Sequence, residues 1–256
     1  MCKECGCGLG GGDVKIGGHE HGHSHGHDHH HHHEHEHGHQ TLNLNRSLLE
    51  KNDRLAERNR GFFRAKKLLV LNVVSSPGSG KTTFIRETAA KLAGKLRVGV
   101  IVGDLATDND AAQLRGAGIP VVQITTGTVC HLDAEMVSKA AAHLDLDRLD
   151  VLVIENVGNL VCPADYDLGE DLRVVLLSTT EGEDKPLKYP PMFHSANVAV
   201  VTKNDLAAAA GFDRGLALKN LKRISHHAEI FELSAKTGDG MKAWLDFLAK
   251  QRARQS

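Results

Sequence analysis

From Leu68 onward the chain repeats one pattern, a short run apolar at nearly every position followed by a longer stretch with helical spacing. The runs are Val70–Ser75, Val98–Gly103, Val121–Thr125, Val151–Glu155, Val174–Ser178, Val198–Thr202 and Ile230–Ser234, rich in Val, Ile and Leu. Strands buried on both faces lose the alternation of a half-exposed sheet, so these runs predict a parallel sheet covered by helices. Thr82–Leu92, Ala134–His143 and Met241–Lys250 carry the helical pattern between them. Over residues 68–256 the alternation predicts an α/β fold with a mostly parallel, doubly wound sheet of about seven strands. It leaves the strand order open.

Upstream the pattern fades. Residues 42–67 place Leu44, Leu48, Leu49 and Leu55 among Glu, Arg and Asn, which predicts a short, lightly amphipathic helix leading into the domain. Residues 1–41 form a tail with two parts. Cys2, Cys5 and Cys7 lie in a glycine-rich stretch, and residues 19–39 hold thirteen of the eighteen histidines. With almost nothing apolar to bury, the tail is expected to be disordered without a ligand.

Composition narrows the function. Lys+Arg 31 against Asp+Glu 32 leaves no basic field for nucleic acid or a membrane surface, and aromatic residues at 4% offer little for stacking on bases. The sequence has neither an apolar run of about 18 residues nor a signal pattern, so a cytoplasmic location is expected. Five cysteines in that setting point to metal or catalysis rather than disulfides.

The segment Ser75–Thr83 follows the first apolar run and opens a helix, matching the P-loop pattern except that Ser75 replaces the first glycine. A glycine-rich turn and a helix N-terminus direct backbone N–H groups at phosphate. Gly78, Ser79, Gly80, Lys81, Thr82 and Thr83 are therefore phosphate-binding candidates, with Lys81 bridging the β- and γ-phosphates and the Thr82 hydroxyl on Mg2+. Thr202-Lys203-Asn204-Asp205 resembles the Asn-Lys-x-Asp motif that reads guanine. The Asp205 carboxylate can accept from guanine N1 and N2, the Lys203 stem can cover the base, and Ser234-Ala235-Lys236 resembles the second base-contacting loop. GTP is the expected nucleotide. Acidic residues at strand ends beside a P-loop usually hold Mg2+ or position water. Asp104 and Glu155 are assigned to the metal side and Asp108 to the water, with Gly158 in the following loop contacting nucleotide. Helix capping competes for Asp108 and Asp110.

Metal chemistry forms a second theme. Cys2, Cys5 and Cys7 offer three clustered thiolates suited to Ni(II), Zn(II) or Cu(I). His29, His30, His31, His32 and His33 sit within alternating His-x-His with Glu and Asp interspersed, unlike the single uninterrupted run of an expression tag. Such a tract suits storage and buffering of nickel, zinc or copper rather than one defined geometry. Cys130-His131 and Cys162 lie on loops close to the expected nucleotide site, although free cysteines are also common as small buried residues.

Together these motifs resemble the hydrogenase nickel-incorporation GTPases, the HypB-type accessory proteins. The resemblance rests on Cys-x-x-Cys-Gly-Cys, Ser-Pro-Gly-Ser-Gly-Lys-Thr-Thr, the Gly-Asp-Leu-x-Thr loop, Thr-Gly-x-x-Cys-His and Glu-Asn-Val-Gly-Asn-Leu-Val-Cys-Pro. It implies delivery of Ni2+ to the [NiFe]-hydrogenase large-subunit precursor, slow GTP hydrolysis, and a homodimer in the GTP-bound state. It further implies a tight nickel site at Cys2, Cys5 and Cys7, and a Zn2+ or Ni2+ site at Cys130, His131 and Cys162. A companion zinc-binding nickel-insertion accessory protein is the implied partner. The related urease nickel-incorporation GTPases carry Cys-Pro-His where this chain has Cys130-His131 adjacent, and lack the N-terminal cysteine motif. A nickel store whose P-loop domain only binds nucleotide is the non-enzymatic alternative.

Overall fold

The computed structural model describes residues 36–255, with side chains from Arg46 onward. In chain order the elements are α1 (Glu36–Ala65), β1 (Leu69–Val74), α2 (Lys81–Leu92), β2 (Val98–Asp104), α3 (Asn109–Gly116), β3 (Val121–Thr125), α4 (Ala134–Ala141) and β4 (Val151–Glu155). They continue with β5 (Leu172–Ser178), α5 (Lys185–Lys188), α6 (Pro190–His194), β6 (Val198–Thr202), α7 (Arg214–Ile224), β7 (Glu229–Glu232) and α8 (Met241–Ala253). The strands form one sheet in the order β3-β2-β4-β1-β5-β6-β7. Every pairing is parallel, as the unbroken apolar runs require.

Alternate residues of each strand feed opposite layers. Leu69, Leu71 and Val73 of β1 join Phe84 and Ile85 of α2, Leu114 of α3 and Trp244 of α8 on one face. On the other face Val70 packs with Phe63 of α1 and Val137 of α4, and Val74 with Phe193 of α6 and Leu221 of α7. Trp244 is fully buried, lies 5.2 Å from Phe84 and 5.6 Å from Phe231 between ring centroids, and donates its Nε1–H to Thr88 Oγ1 of α2 at 3.0 Å. Between the two clusters on the second face, Asn72 is wholly buried within β1.

The leading helix differs from its sequence expectation. It starts at Glu36, inside the segment expected as tail, and Leu48 of the anticipated apolar face is exposed. The buried stripe is instead Asn52, Ala56, Asn59 and Phe63, at i, i+4, i+7 and i+11. Two of the four are asparagines, so a count of apolar positions misses it. The Asn59 amide donates to the carbonyls of Ala134 and Leu168 at 2.8 and 3.2 Å. Asn52 accepts from the Ala134 amide at 2.9 Å and donates to Asp167 O at 2.8 Å. The helix is bolted to the start of α4 by hydrogen bonds. Among the described residues, no helix is long and apolar enough to cross a membrane.

Asn59→Ala leaves two buried carbonyls short of a donor and is expected to cost about 2 kcal/mol. Urea unfolding should show a lower midpoint at unchanged slope; no shift would mean that the Asn59 hydrogen bonds contribute nothing to the stability of the domain.

Candidate nucleotide and metal site

The cradle lies at the carboxyl end of β1, between β4 and β5. Gly80 caps α2 at φ 93°, a left-handed conformation that suits glycine and turns the chain into the helix. Ser75, the departure from the motif, is fully buried, and its hydroxyl accepts from Lys81 Nζ at 3.2 Å. The substitution thus adds a support for the lysine. Thr82 donates its hydroxyl to Glu155 Oε1 at 2.7 Å, joining the P-loop helix to the end of β4.

Charge in the cradle is lopsided. Burial lowers the Lys81 pKa, although Glu155, Asp110, Glu181 and Asp104 all pull it the other way. Burial also pushes the Glu155 carboxyl up to about 7, against the Thr82 hydroxyl and the Lys81 charge. Asp104 behaves oppositely. Burial would raise it, but the Thr107 and Ala106 amides donate to its Oδ1 at 2.7 and 3.0 Å and hold it below the usual carboxylate range. Oε2 of Glu155 and Oε2 of Glu181 are buried without a hydrogen-bond partner. Carboxylates outnumber the ammonium in a pocket shaped for phosphate, and two oxygens point at nothing. That donor set fits a hard divalent cation such as Mg2+. Asp108 is exposed and stands before α3 without a side-chain cap bond. Glu181, on the loop after β5, contacts the Ser79 hydroxyl and was not anticipated from sequence; its place at a strand's carboxyl end beside β1 is the signal that marks it.

The motifs expected to read the base converge on one cavity of about 390 Å3 beside the cradle, lined by Thr83, Thr202, Lys203, Asp205, Ser234 and Lys236 among others. Ser234 donates to Asp205 Oδ1 at 2.6 Å and so aims the carboxylate. Lys203, at φ 59°, reaches back to donate to Gly78 O at 2.7 Å, laying its stem across the P-loop. Ala235 lines the same cavity.

The third group also assembles. Ligand atoms of Cys130, His131 and Cys162 lie within 4.8 Å of one another, and the two sulfurs are 2.8 Å apart. His131 stacks on Tyr166 at 3.9 Å between centroids, and burial lowers its pKa, favouring the neutral imidazole that ligates metal. Two sulfurs and one nitrogen suit Ni(II) or Zn(II) and leave a four-coordinate ion short of one ligand. The loop 155–162 joins this cluster to the cradle. Gly158 lies so close to the P-loop that an added Cβ would sit 3.1 Å from Pro77 Cα. Asn159 donates to Cys130 O at 3.3 Å, and the loop ends at Cys162. Cys2, Cys5, Cys7 and His29–His33 lie outside the described residues.

Fold and cradle define a P-loop nucleotide-binding protein of the parallel α/β class. Comparison with known proteins is specific. The family described as CobW/HypB/UreG, nucleotide-binding domain, matches residues 69–232. Hydrogenase maturation factor HypB of Escherichia coli (strain K12) is 51% identical over 211 residues, 82% of this chain and 73% of that protein. Its counterpart in Azotobacter vinelandii is 49% identical over 211 residues, 82% of this chain and 70% of the relative. The crystal structure of HypB from Helicobacter pylori in complex with nickel matches at a TM-score of 0.77 and 39% identity, covering 80% of this chain and 96% of that one. The chain belongs to the CobW/HypB/UreG nucleotide-binding family, in its HypB hydrogenase maturation branch.

The Glu155 carboxyl gives a pH test. Its pKa rises from 4.5 unfolded to about 7 folded, so the folded chain keeps a proton that the unfolded chain releases in that window. Stability contributed by the neutral form is present below the window and lost as pH rises through it. In nucleotide-free, chelator-treated protein, Glu155→Gln is expected to gain little near pH 4.5 and about 3 kcal/mol by pH 8. Urea midpoints across that range check this. A gap that stays constant would mean the carboxyl titrates as an exposed group.

Proposed function

We propose that this chain is a cytoplasmic GTPase and nickel metallochaperone that binds, stores and delivers Ni2+ for assembly of the [NiFe]-hydrogenase active site. GTP-dependent homodimerisation gates the transfer. The large-subunit precursor and a zinc-binding nickel-insertion accessory protein are its partners. Family membership supports the hydrogenase role, and the nickel bound by the Helicobacter pylori protein supports the cargo. The observation that carries the switch is the loop 155–162, whose Glu155 end touches Thr82 and whose Cys162 end belongs to the sulfur cluster.

Phosphates of GTP occupy the cradle between Gly78 and Thr83, and Lys81 meets the β- and γ-phosphate charge. Mg2+ would be held by the Thr82 hydroxyl near Asp104 and Glu155, supplying charge to offset the carboxylates and the phosphates. The Asp205 carboxylate accepts from guanine, Lys203 covers the base, and Asp108 or a neighbouring carboxylate orients water. Arrival of phosphate at Thr82 and Pro77 displaces the contacts of the 155–162 loop, which moves Cys162 relative to Cys130. Exposed Leu105 and Val161 border these loops and give a second copy an apolar surface to cover. A second subunit then completes the ligand set for Zn2+ or Ni2+. The Cys2, Cys5 and Cys7 motif and His29–His33 bind and store further nickel.

Lys81→Ala is expected to abolish GTP turnover. Asp205→Asn is expected to shift preference from GTP to xanthosine triphosphate by about 100-fold, the worth of two hydrogen bonds to a charged acceptor. Steady-state phosphate release with each nucleotide measures both, and an unchanged preference would remove Asp205 from base recognition.

Linkage supplies the test of gating. If GTP tightens the dimer and alters metal affinity, metal must alter GTP-dependent dimerisation by the same factor. Sedimentation of the full chain, with and without Ni2+ or Zn2+ in each nucleotide state, is expected to show that factor and to lose it in Cys162→Ala. An equal metal effect in that variant would assign the coupling elsewhere.

A further inference from the structure

A second group of imidazoles stands far from the cysteines. His194 ends α6, and His226 and His227 occupy the turn between α7 and β7; all three are exposed. Rings of His194 and His227 lie 5.6 Å apart between centroids, those of His226 and His227 5.3 Å apart, each pair edge-to-face at 81° and 82°. Imidazoles sharing one ion at N–metal distances near 2.1 Å place their centroids roughly 5 Å apart. The two ring pairs lie near that spacing.

The two segments are stitched together beneath the rings. Ser225 donates its hydroxyl to Phe193 O at 2.5 Å, so each residue preceding a histidine in one segment is tied to the other. His194 Nδ1 lies 3.3 Å from Ile224 O. A carbonyl can only accept, so Nδ1 carries the hydrogen and Nε2 keeps its lone pair facing outward. A backbone carbonyl fixing the tautomer in this way is the usual support behind a metal-ligating histidine.

We propose that His194, His226 and His227 form a further site for a borderline divalent transition-metal ion, Ni2+ or Zn2+, at the end of the sheet opposite the nucleotide. α6 precedes β6 and the turn precedes β7, so the trio stands at the amino ends of parallel strands whose carboxyl ends carry the P-loop and the Cys130–Cys162 cluster. Binding there is independent of the GTP switch and gives the ion a holding point on the opposite rim. The nitrogens converge less tightly than those of the cysteine cluster, so the exposed rings must rotate to close on the ion. Lys222 and Arg223 in the last turn of α7 add positive charge nearby, which makes this a weaker site than one of thiolates. The inference stands on imidazole geometry and not on the hydrogenase reading.

Residue-resolved acylation tests it in the full chain despite the histidine tract. The protein is treated with diethyl pyrocarbonate at free Ni2+ set by a chelator buffer, and peptides are quantified by mass spectrometry. Labelling of His194, His226 and His227 is expected to fall together at one free-metal midpoint, by about fivefold or more, as bound metal occupies the nitrogen lone pair. Exposed His143, outside the cluster, serves as reference and should change little. His227→Ala, a surface change, is expected to abolish protection of the other two. Separate midpoints, no protection, or protection that survives His227→Ala would overturn the site.

Discussion

At the middle of the central strand the chain places an amide where both neighbours are strands and no water reaches. Asn72 pairs in register with Ile154 of β4 and Arg173 of β5, and both ends of its side chain must find partners, since an unmatched buried amide costs about 1–3 kcal/mol. Its Nδ2 donates to Glu170 at 3.1 Å, and its Oδ1 accepts from Asn156 at 3.2 Å. Glu170 also takes the buried Arg173 guanidinium; burial pushes its carboxyl up, but the Arg173 charge together with the hydrogen bonds from Asn72 and the Leu168 amide holds it below its usual range. Arg173 reaches the carbonyls of Ala164 and Tyr166. At the other end Asn156 accepts from the Val157 and Leu132 amides at 2.9 and 3.4 Å. One polar chain therefore runs from the segment beyond Cys162, through the strand that feeds the P-loop, to the residue after His131. Each member is satisfied only in one arrangement, so the loops carrying phosphate and metal chemistry share a common anchor.

Hard and soft donors stay apart on that anchor. Oxygens of Thr82, Asp104 and Glu155 crowd the cradle, while sulfurs and one imidazole gather at the far end of the same loop. The first set suits a hard ion such as magnesium and the second a softer one such as nickel or zinc, so two such ions, if bound, would sort themselves by chemistry without a barrier between them. A backbone segment a few residues long would then be common to both without either ion competing for the other's ligands.

Much of this was legible in the sequence because burial on both faces leaves a strong signature. The runs Val121–Thr125, Val151–Glu155 and Val198–Thr202 are β3, β4 and β6 with the same bounds, and the others differ by up to two residues at an end. The P-loop was legible for a related reason, since a glycine-rich turn between a buried strand and a helix restricts its residue types in order. What escaped was polar burial. Asn52 and Asn59 read as surface residues until their partners, 75 to 115 positions away, are known, and the pairing of Asn72 with Glu170 and Asn156 spans 98 and 84 positions. Glu181 escaped because the sequence puts its loop at a strand's carboxyl end but does not say that this strand lies beside the P-loop strand. Strand order, set by crossovers rather than local pattern, could be had only from the fold.

The aromatic knot on the α8 face has a practical consequence. Trp244 is the single tryptophan of the chain. It is anchored through Thr88 to the helix that begins at Lys81, and its Phe231 neighbour belongs to the strand leading into the Ser234 loop. Any tilt of that helix or strand changes the packing around one indole, with no other to dilute the signal. Intrinsic fluorescence of the unlabelled protein is thus an optical gauge of the P-loop helix, already in place on the α8 face.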